Sequence, residues 1–538
     1  MAIARGVGAV VECVGMSVSR HVFCCAVLLL FPAVVWAGYE DDTGFTSLAA
    51  RLGSSLPTGS GISVSMVESG TAYLPQAGSG TFAGSGVFSG KSFTAKSGAS
   101  GLSLHAERVV YHFCGPYTDS GSGWATMSPD IGLVDVYESS SFIDNGFLRP
   151  GATNTAPLTE LRSLQNHSWI LYADAAKASL YNDLLRRLDF AINRDGFLCL
   201  AGVNNGAGEK TPELMASAYN ALAVGLSNGN HSRGGTSAFV DGPGRLKPEI
   251  TVPIDATSWA TPYTASAAAL LRQRSTATGS PQATRPQLLK AILLAGATKD
   301  EFPFWSKSAQ TPLDAITGAG ELNIDLSDAI MAGGEQVPNL AGPLPLMAWD
   351  FHQLSAGNTA DYLLRVPAGE AGTELSAFLV WHRTLTDPAG GGFNLTPDPL
   401  VDFNLSLELL PSDGGEPVNI DVSTSTLYNL EHVWKRSLPA GTYRLRVSRG
   451  SGTAREFAIA WRLSTVGYLP ELSAFRAGDV MELTAARLLP GQAYRLESSA
   501  DLAVWSVDSS FTAVGATFAW PLPVTEVRRF YRLVCVPL

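Results

Sequence analysis

Apolar residues in the first part of the chain form two kinds of pattern, short continuous runs and helical repeats. The continuous runs predict strands that are buried on both faces, and they read ISVSMVE (62–68), IGLVDVYE (131–138) and FLCLAG (197–202). Apolar positions at three- and four-residue spacing predict helices over 105–113, 180–196 and 261–273. Strands and helices in turn predict an α/β fold, a parallel sheet flanked by helices, over residues 38–336.

The pattern changes after about residue 335, beyond a Pro-rich linker that reads VPNLAGPLPLM (337–347). Helical periodicity disappears there, and short segments alternate apolar and polar residues between turn signals. This predicts a β-sandwich over 343–465 and a small β module over 466–538. The linker also favours independent folding of the part that precedes it.

The N-terminus has the features of an export signal. Arg20 and His21 precede an apolar run over 22–35, and Val-Trp-Ala then gives a small-residue cleavage site after Ala37. The run is short for a transmembrane helix, so an uncleaved anchor is the less favoured alternative. We therefore expect a signal peptide over 1–37, a mature chain without a stable membrane span, and a secreted or cell-envelope location.

Composition narrows the class of protein further. Hydrophobic residues make up 46% and charged residues 16%, which is typical of globular domains rather than disorder. The formal net charge of −11 argues against a nucleic-acid partner.

Six cysteines are present, and three of them, Cys13, Cys24 and Cys25, lie in the predicted signal peptide. The other three are Cys114, Cys199 and Cys535. They are odd in number, far apart and without metal-site spacing, so we expect buried or unpaired thiols rather than disulfides.

The strongest candidate for chemistry is Ser258, in ATSWATPYTASAAALL (256–271). Pro262 suits the first turn of a helix, where its missing N–H costs nothing. Ser258 would then lie at a helix N-terminus with its own backbone N–H free. Helix capping by the serine is the alternative.

This stretch resembles the nucleophile motif of the subtilisin-like serine proteases, Gly-Thr-Ser-x-Ala-Thr-Pro, with Ala256 in place of the glycine. The family also places an acid and then a histidine before the serine. His105 opens HAERV, which is similar to the family's His-Gly-Thr-x-Val motif, although Ala106 and Glu107 depart from it. An ordinary surface histidine is the alternative.

The two remaining positions of the family's site also have counterparts. Asn204 in LAGVNNG resembles the asparagine that supplies an N–H donor to the oxyanion, and a simple Asn-Gly turn is the alternative. Glu68, followed by Ser69-Gly70 at the end of the first strand, stands where the family has aspartate. A glutamate can still accept a hydrogen bond from the histidine, and a lost site, a pseudoenzyme, is the alternative.

The resemblance implies a secreted serine endopeptidase of subtilisin-like fold that hydrolyses protein or peptide substrates. In it Ser258 is the nucleophile, His105 the base, Glu68 the orienting acid and Asn204 the oxyanion donor. Similar segments extend over 166–170, 245–253 and 316–330. Only a short stretch lies between the predicted cleavage site after Ala37 and the first predicted strand at Ile62, so we expect that the family's propeptide is absent. The family also allows a structural calcium ion, but no acidic loop has ligand spacing, so no metal ligand is assigned and no other cofactor is expected.

Two other functions compete with this one. A catalytically inactive surface or adhesion protein would use the α/β domain as a scaffold and the β modules for binding. The Ser-Glu-Asp acid peptidases have a related fold but no catalytic histidine, so His105 disfavours them. The tryptophans of the β modules are expected in cores rather than as ligand platforms, and they are Trp381, Trp434, Trp461, Trp505 and Trp520.

Overall fold

A computed structural model describes residues 38–536 with short gaps at 76–87, 99–100, 117–124, 152–154, 173–174, 212–213, 369, 388–392, 394, 451, 468–470, 478–479, 489–492, 501–503 and 524–529. The predicted signal peptide and its three cysteines lie outside the described residues. Part of the Gly/Ser-rich stretch 78–101 and the side chain of Cys535 also lie outside the described residues.

The strands of the α/β region build a seven-stranded sheet of order β11-β8-β7-β6-β1-β5-β3, in which all pairings are parallel. In chain order the strands of this region are β1 (Ser63–Glu68), β2 (Ala72–Pro75), β3 (Ser92–Ala95), β4 (Gly101–Ser103), β5 (Leu133–Glu138), β6 (Leu164–His167), β7 (Leu198–Gly202), β8 (Leu222–Leu226), β9 (Gly234–Gly235), β10 (Leu246–Lys247) and β11 (Ile250–Val252). The expected parallel sheet is confirmed.

Helices cover both faces of this sheet, which explains why its strands are apolar almost throughout. They are α1 (Tyr39–Asp42), α2 (Phe45–Leu52), α3 (Leu104–Cys114), α4 (Ser139–Ser141), α5 (Ala178–Asp195), α6 (Thr257–Ala277), α7 (Pro286–Gly296) and α8 (Ile324–Ala332). Val64 and Met66 of β1 pack into the core that contains α3 and α6, whereas Val67 packs into the core with α5. Side chains alternate between faces along a strand, so Glu68 follows Val64 and Met66 toward α3 and α6.

The order in which strands are added to the sheet switches sides at β1, which has β5 on one side and β6 on the other. Crevices at the carboxyl ends of parallel strands form at such a switch. Glu68 is the last residue of β1, and Asn204 follows the end of β7. The topology therefore brings these two predicted site residues to one edge of the sheet.

Antiparallel sheets follow, as predicted. Two four-stranded sheets, β12-β21-β14-β19 and β13-β20-β17-β18, form a sandwich, and two three-stranded sheets, β22-β23-β26 and β25-β24-β27, end the chain. The strands are β12 (Met347–Leu354), β13 (Thr359–Val366), β14 (Glu370–Val380), β15 (Leu385–Thr386), β16 (Thr396–Pro397), β17 (Phe403–Leu410), β18 (Val418–Ser423), β19 (Leu430–Leu438), β20 (Gly441–Arg449), β21 (Arg455–Gly467), β22 (Glu471–Ala477), β23 (Val480–Ala486), β24 (Ala493–Ser499), β25 (Ser506–Thr512), β26 (Phe518–Pro523) and β27 (Phe530–Val536).

The tryptophans of this β part divide by burial. Trp381, Trp461 and Trp520 are buried, as expected of core residues. Trp434 and Trp505 are only half-buried.

The sandwich shares its core with the α/β region. Every residue of α7 is buried, and this helix packs on β14 and β21. Arg462 of β21 donates hydrogen bonds to the carbonyls of Ala295 and Ala297, at 3.0 and 3.1 Å. Independent folding stays a prediction, and this contact weighs against it, because without the sandwich α7 would expose a large apolar surface.

Two of the cysteines can be compared with the prediction. Cys114 and Cys199 are free and buried, and burial raises the pKa of the Cys114 thiol to about 12. These thiols are therefore protonated at neutral pH and belong to the core. Within the described ranges, no helix is both long and apolar enough to cross a membrane.

Candidate active site

Glu68 and His105 form a hydrogen-bonded pair. The Glu68 side chain is 2% exposed at the end of β1, and the His105 side chain, in the first turn of α3, is 40% exposed. Nδ1 of His105 lies 2.7 Å from Oε2 of Glu68. The carboxylate thus accepts the Nδ1–H proton, which fixes the tautomer and leaves Nε2 of His105 with a free lone pair.

Burial and pairing both shift the pKa values of this pair. Burial raises the pKa of Glu68, and the hydrogen bond and charge of His105 offset only part of that shift. Burial alone would lower the pKa of His105, but the hydrogen bond and negative charge of Glu68 outweigh burial and raise it, while Arg108 acts in the opposite direction. The imidazolium form is therefore stabilised, as a general base requires after it accepts a proton.

Ser258 is the second residue of α6, which begins at Thr257, four residues before the predicted start. Ala256 is the N-cap residue, so Ser258 does not cap the helix. Among the described residues, neither Oγ nor the backbone N–H of Ser258 has a hydrogen-bond partner. Both groups are thus available to a ligand at the positive end of the helix dipole.

The expected position of Pro262 is wrong. It lies in the second turn of α6 rather than in the first, because the helix starts earlier than its apolar pattern indicates. Its missing N–H leaves the Ser258 carbonyl without the usual partner four residues on. Ser258 still lies in the first turn of α6.

His105 and Ser258 are not hydrogen-bonded to each other in the structure. The link between them is Trp259, whose ring centroid lies 4.9 Å from that of His105. Arg108, one turn along α3 from His105, lies over the same indole at 4.1 Å and pairs with Asp255 at 3.4 Å. Trp259 and Arg108, which the sequence did not single out, therefore hold α3 against the start of α6.

Asn204 lines the same small pocket as Ser258. Its Nδ2 donates to the hydroxyl of Tyr172 at 2.8 Å, and its backbone N–H donates to Oγ of Ser232 at 2.9 Å. An amide NH₂ carries two hydrogens, so one donor of Asn204 remains for a ligand.

The neighbouring residue, Asn205, fixes α6 to this loop. Its Oδ1 accepts hydrogen bonds from the backbone N–H and the hydroxyl of Thr257, at 2.9 and 3.1 Å. Gly202 permits the close approach, since a Cβ there would lie 2.7 Å from Oγ1 of Thr261. The Asn-Gly turn read from the sequence is thus also a connection to the nucleophile helix.

Asn204 and Ser258 line one small pocket of about 50 Å³. Ser168, Trp169 and Ile170, from the family-like segment 166–170, form another wall of it. The four predicted site residues thus form two adjacent pairs, Glu68 with His105 and Asn204 with Ser258. Across the described part of the chain, no cluster of three His, Cys, Asp or Glu side chains could hold a metal ion.

Comparison with known proteins gives only distant likenesses. No family model and no curated protein matches the sequence. Among solved structures, the MycP3 protease of the type VII (ESX-3) secretion system is 15% identical, with a TM-score of 0.33, and the match covers 54% of this chain and 88% of that one. Fervidolysin from Fervidobacterium pennivorans, a keratinolytic enzyme related to subtilisin, is 11% identical, with a TM-score of 0.33 and coverage of 92% and 70%. Pseudomonas sedolisin, a serine-carboxyl proteinase, is 15% identical, with a TM-score of 0.32 and coverage of 55% and 97%.

These similar solved structures are all proteases. At such identities and TM-scores the likeness carries no argument about chemistry. The case for a function rests on the geometry of the four residues.

Proposed function

We propose that this protein is an exported serine endopeptidase in which Ser258, His105 and Glu68 act as a triad. The observation that carries the proposal is the buried Glu68 carboxylate, which is hydrogen-bonded to Nδ1 of His105 at 2.7 Å, beside the helix whose second residue is Ser258. A carboxylate on Nδ1 is what a histidine needs to act as a base through Nε2.

The chemical steps follow from these positions. Oγ of Ser258 attacks the peptide carbonyl while Nε2 of His105 accepts the hydroxyl proton. The C–N bond then breaks, and His105 passes the proton to the leaving amine. Water hydrolyses the acyl-serine by the same route, with His105 again as base.

The oxyanion formed in each step needs donors. The backbone N–H of Ser258 and the second amide hydrogen of Asn204 both adjoin the pocket. Each such donor typically contributes about 10²–10³-fold to kcat. The N-terminus of α6 adds its positive dipole end.

We expect the hydrogen bond between Ser258 and His105 to form only when substrate binds. Catalytic hydrogen bonds are often long in unliganded enzymes and tighten when substrate binds. The absence of a Ser258–His105 hydrogen bond in the structure is the one observation that favours the alternative, an inactive surface or adhesion protein on this scaffold.

Hydrolysis of casein or a quenched peptide by the purified protein tests the proposal. Ser258→Ala should abolish turnover, whereas Ser266→Ala, about two turns further along α6, should retain it. Equal activity of the Ser258→Ala variant and the wild type would overturn the assignment, and absence of hydrolysis and of acyl-enzyme formation in the wild type would favour the alternative.

Export is the second part of the proposal. It is supported by the order of charged start, apolar run and Val-Trp-Ala before Gly38. N-terminal sequencing of the extracytoplasmic protein should begin at Gly38. A sequence that begins at Met1 or Met16 would contradict cleavage.

A further inference from the structure

A second pocket opens on the carboxyl side of β8. Its volume is about 240 Å³, smaller than a site for a whole drug-sized ligand. The loop 227–233 forms one wall, and two segments of the chain before α8, 301–305 and 314–317, form the other. We call it the Phe304 pocket.

Large apolar side chains are left in water at this pocket. Phe304 is 92% exposed at its rim, and Ile316 is 39% exposed. Exposed apolar groups that adjoin a concave surface mark a place where another molecule binds. The occupant that fits such a lining is a large apolar side chain.

The walls of the pocket are held in place by buried hydrogen bonds. Nε1 of Trp305 donates to the carbonyl of Gly318 at 3.0 Å. Oδ1 of Asp314 accepts from the backbone N–H groups of Ile316 and Thr317, both at 2.9 Å. The pocket is therefore preformed, and a ligand would not have to order it.

This pocket is joined directly to the candidate active site. The backbone N–H of Ser232 donates to the carbonyl of Asn204 at 2.7 Å, and Asn204 N–H donates back to Oγ of Ser232 at 2.9 Å. Arg233, the next residue, lines the Phe304 pocket. A polypeptide bound across Asn204 can therefore extend toward the pocket.

Arg233 supplies a polar group at the rim. It is exposed, and it forms no hydrogen bond or ion pair with any residue the structure describes. A guanidinium in this position can donate to main-chain carbonyls of a bound peptide.

We propose that the Phe304 pocket is a substrate subsite that binds a large apolar side chain of the polypeptide, a few residues from the bond that Ser258 attacks. The inference rests on the proposed function. It adds a preference for extended substrates with an aromatic or long aliphatic residue at one defined position.

Quenched decapeptides test this subsite. Each carries one fixed scissile bond and a single Phe or Ala, moved through every position on both sides. With the wild-type protein, Phe at one position should lower KM about tenfold relative to Ala, with kcat within about twofold. The double variant Phe304→Ala/Ile316→Ala should lose this difference. Leu161→Ala, which removes another exposed apolar side chain, should keep it.

The same Phe difference in all three proteins, or no positional difference in the wild type, overturns the proposal. If the wild type cleaves none of the peptides, the proposed function fails, and calorimetric binding to Ser258→Ala decides about the pocket. Tighter binding of the Phe peptide that depends on Phe304 supports the subsite. Equal binding of the Phe and Ala peptides contradicts it.

Discussion

Replacing Glu68 by glutamine keeps the shape of the side chain and removes its charge. The amide can present either its oxygen or its NH₂ group to Nδ1 of His105, and the NH₂ group would favour the tautomer in which Nε2 is protonated. The present contact is short, at 2.7 Å, and the carboxylate is 2% exposed, so water cannot replace it. We expect kcat/KM to fall by roughly 10²–10⁴, the upper end being the cost of the corresponding amide in a Ser-His-Asp triad. This corresponds to about 2.7–5.4 kcal/mol of transition-state stabilisation.

The pH dependence should change in a defined direction. His105 acts as a base only when neutral, so kcat/KM falls as the pH drops through its pKa. Glu68 raises that pKa above 6.5, whereas burial and Arg108 lower it. The acid limb of the wild type should therefore lie above pH 6.5, and Glu68→Gln should move it to lower pH.

The assay is kcat/KM for one quenched peptide between pH 5 and 9, with Glu138→Gln as the matched control. Glu138 pairs in register with Glu68 on the neighbouring strand, but its carboxylate accepts from the N–H groups of Ser140 and Ser141 instead. Glu68→Asp shortens the reach by about one C–C bond, 1.5 Å, and should fall between wild type and Glu68→Gln. Equal rates and equal acid limbs for wild type and Glu68→Gln would refute the role of Glu68.

Other consequences of the structure can be measured independently. Asn204→Ala should lower kcat about 10²–10³-fold with little change in KM, because the oxyanion loses one donor; an unchanged kcat would exclude Asn204 from that role. Arg108→Gln removes a positive charge near His105 and should move the acid limb of kcat/KM to higher pH; an unmoved or lowered limb would contradict the electrostatic account. A chain that ends at residue 338 should be insoluble or lack a cooperative melting transition, because α7 would lose the strands that cover it; a soluble, active product would show that the sandwich is dispensable.

The sheet could be predicted for a physical reason, because buried parallel strands are continuous apolar runs. The four candidate residues came from the resemblance to a family's motifs, and two of them, Glu68 and Asn204, lie where such runs end. The period of two along β1 also accounts for the direction of Glu68 toward α3 and α6.

The contacts between helices could not be predicted from the sequence in the same way. Trp259 and Arg108 are far apart in sequence, and they meet only because α3 and α6 pack together. The start of α6 was also missed, since Pro262 was placed in the first turn, whereas the helix begins earlier with the polar residues Thr257 and Ser258. The sequence does indicate the core that the α/β region shares with the sandwich. The segment of α7, PQLLKAILLAG, is apolar almost all round, which is typical of a helix covered on every side.

Labelling with a fluorophosphonate followed by peptide mapping tests the central claim most directly, because it requires an activated serine but no knowledge of the substrate. The wild-type protein should carry one adduct, on Ser258, and the labelling rate should follow the pKa of His105. His105→Ala should react at least about 10²-fold more slowly, as expected when the base is lost. Failure of the folded wild type to react, or an adduct on a different serine, would contradict the account.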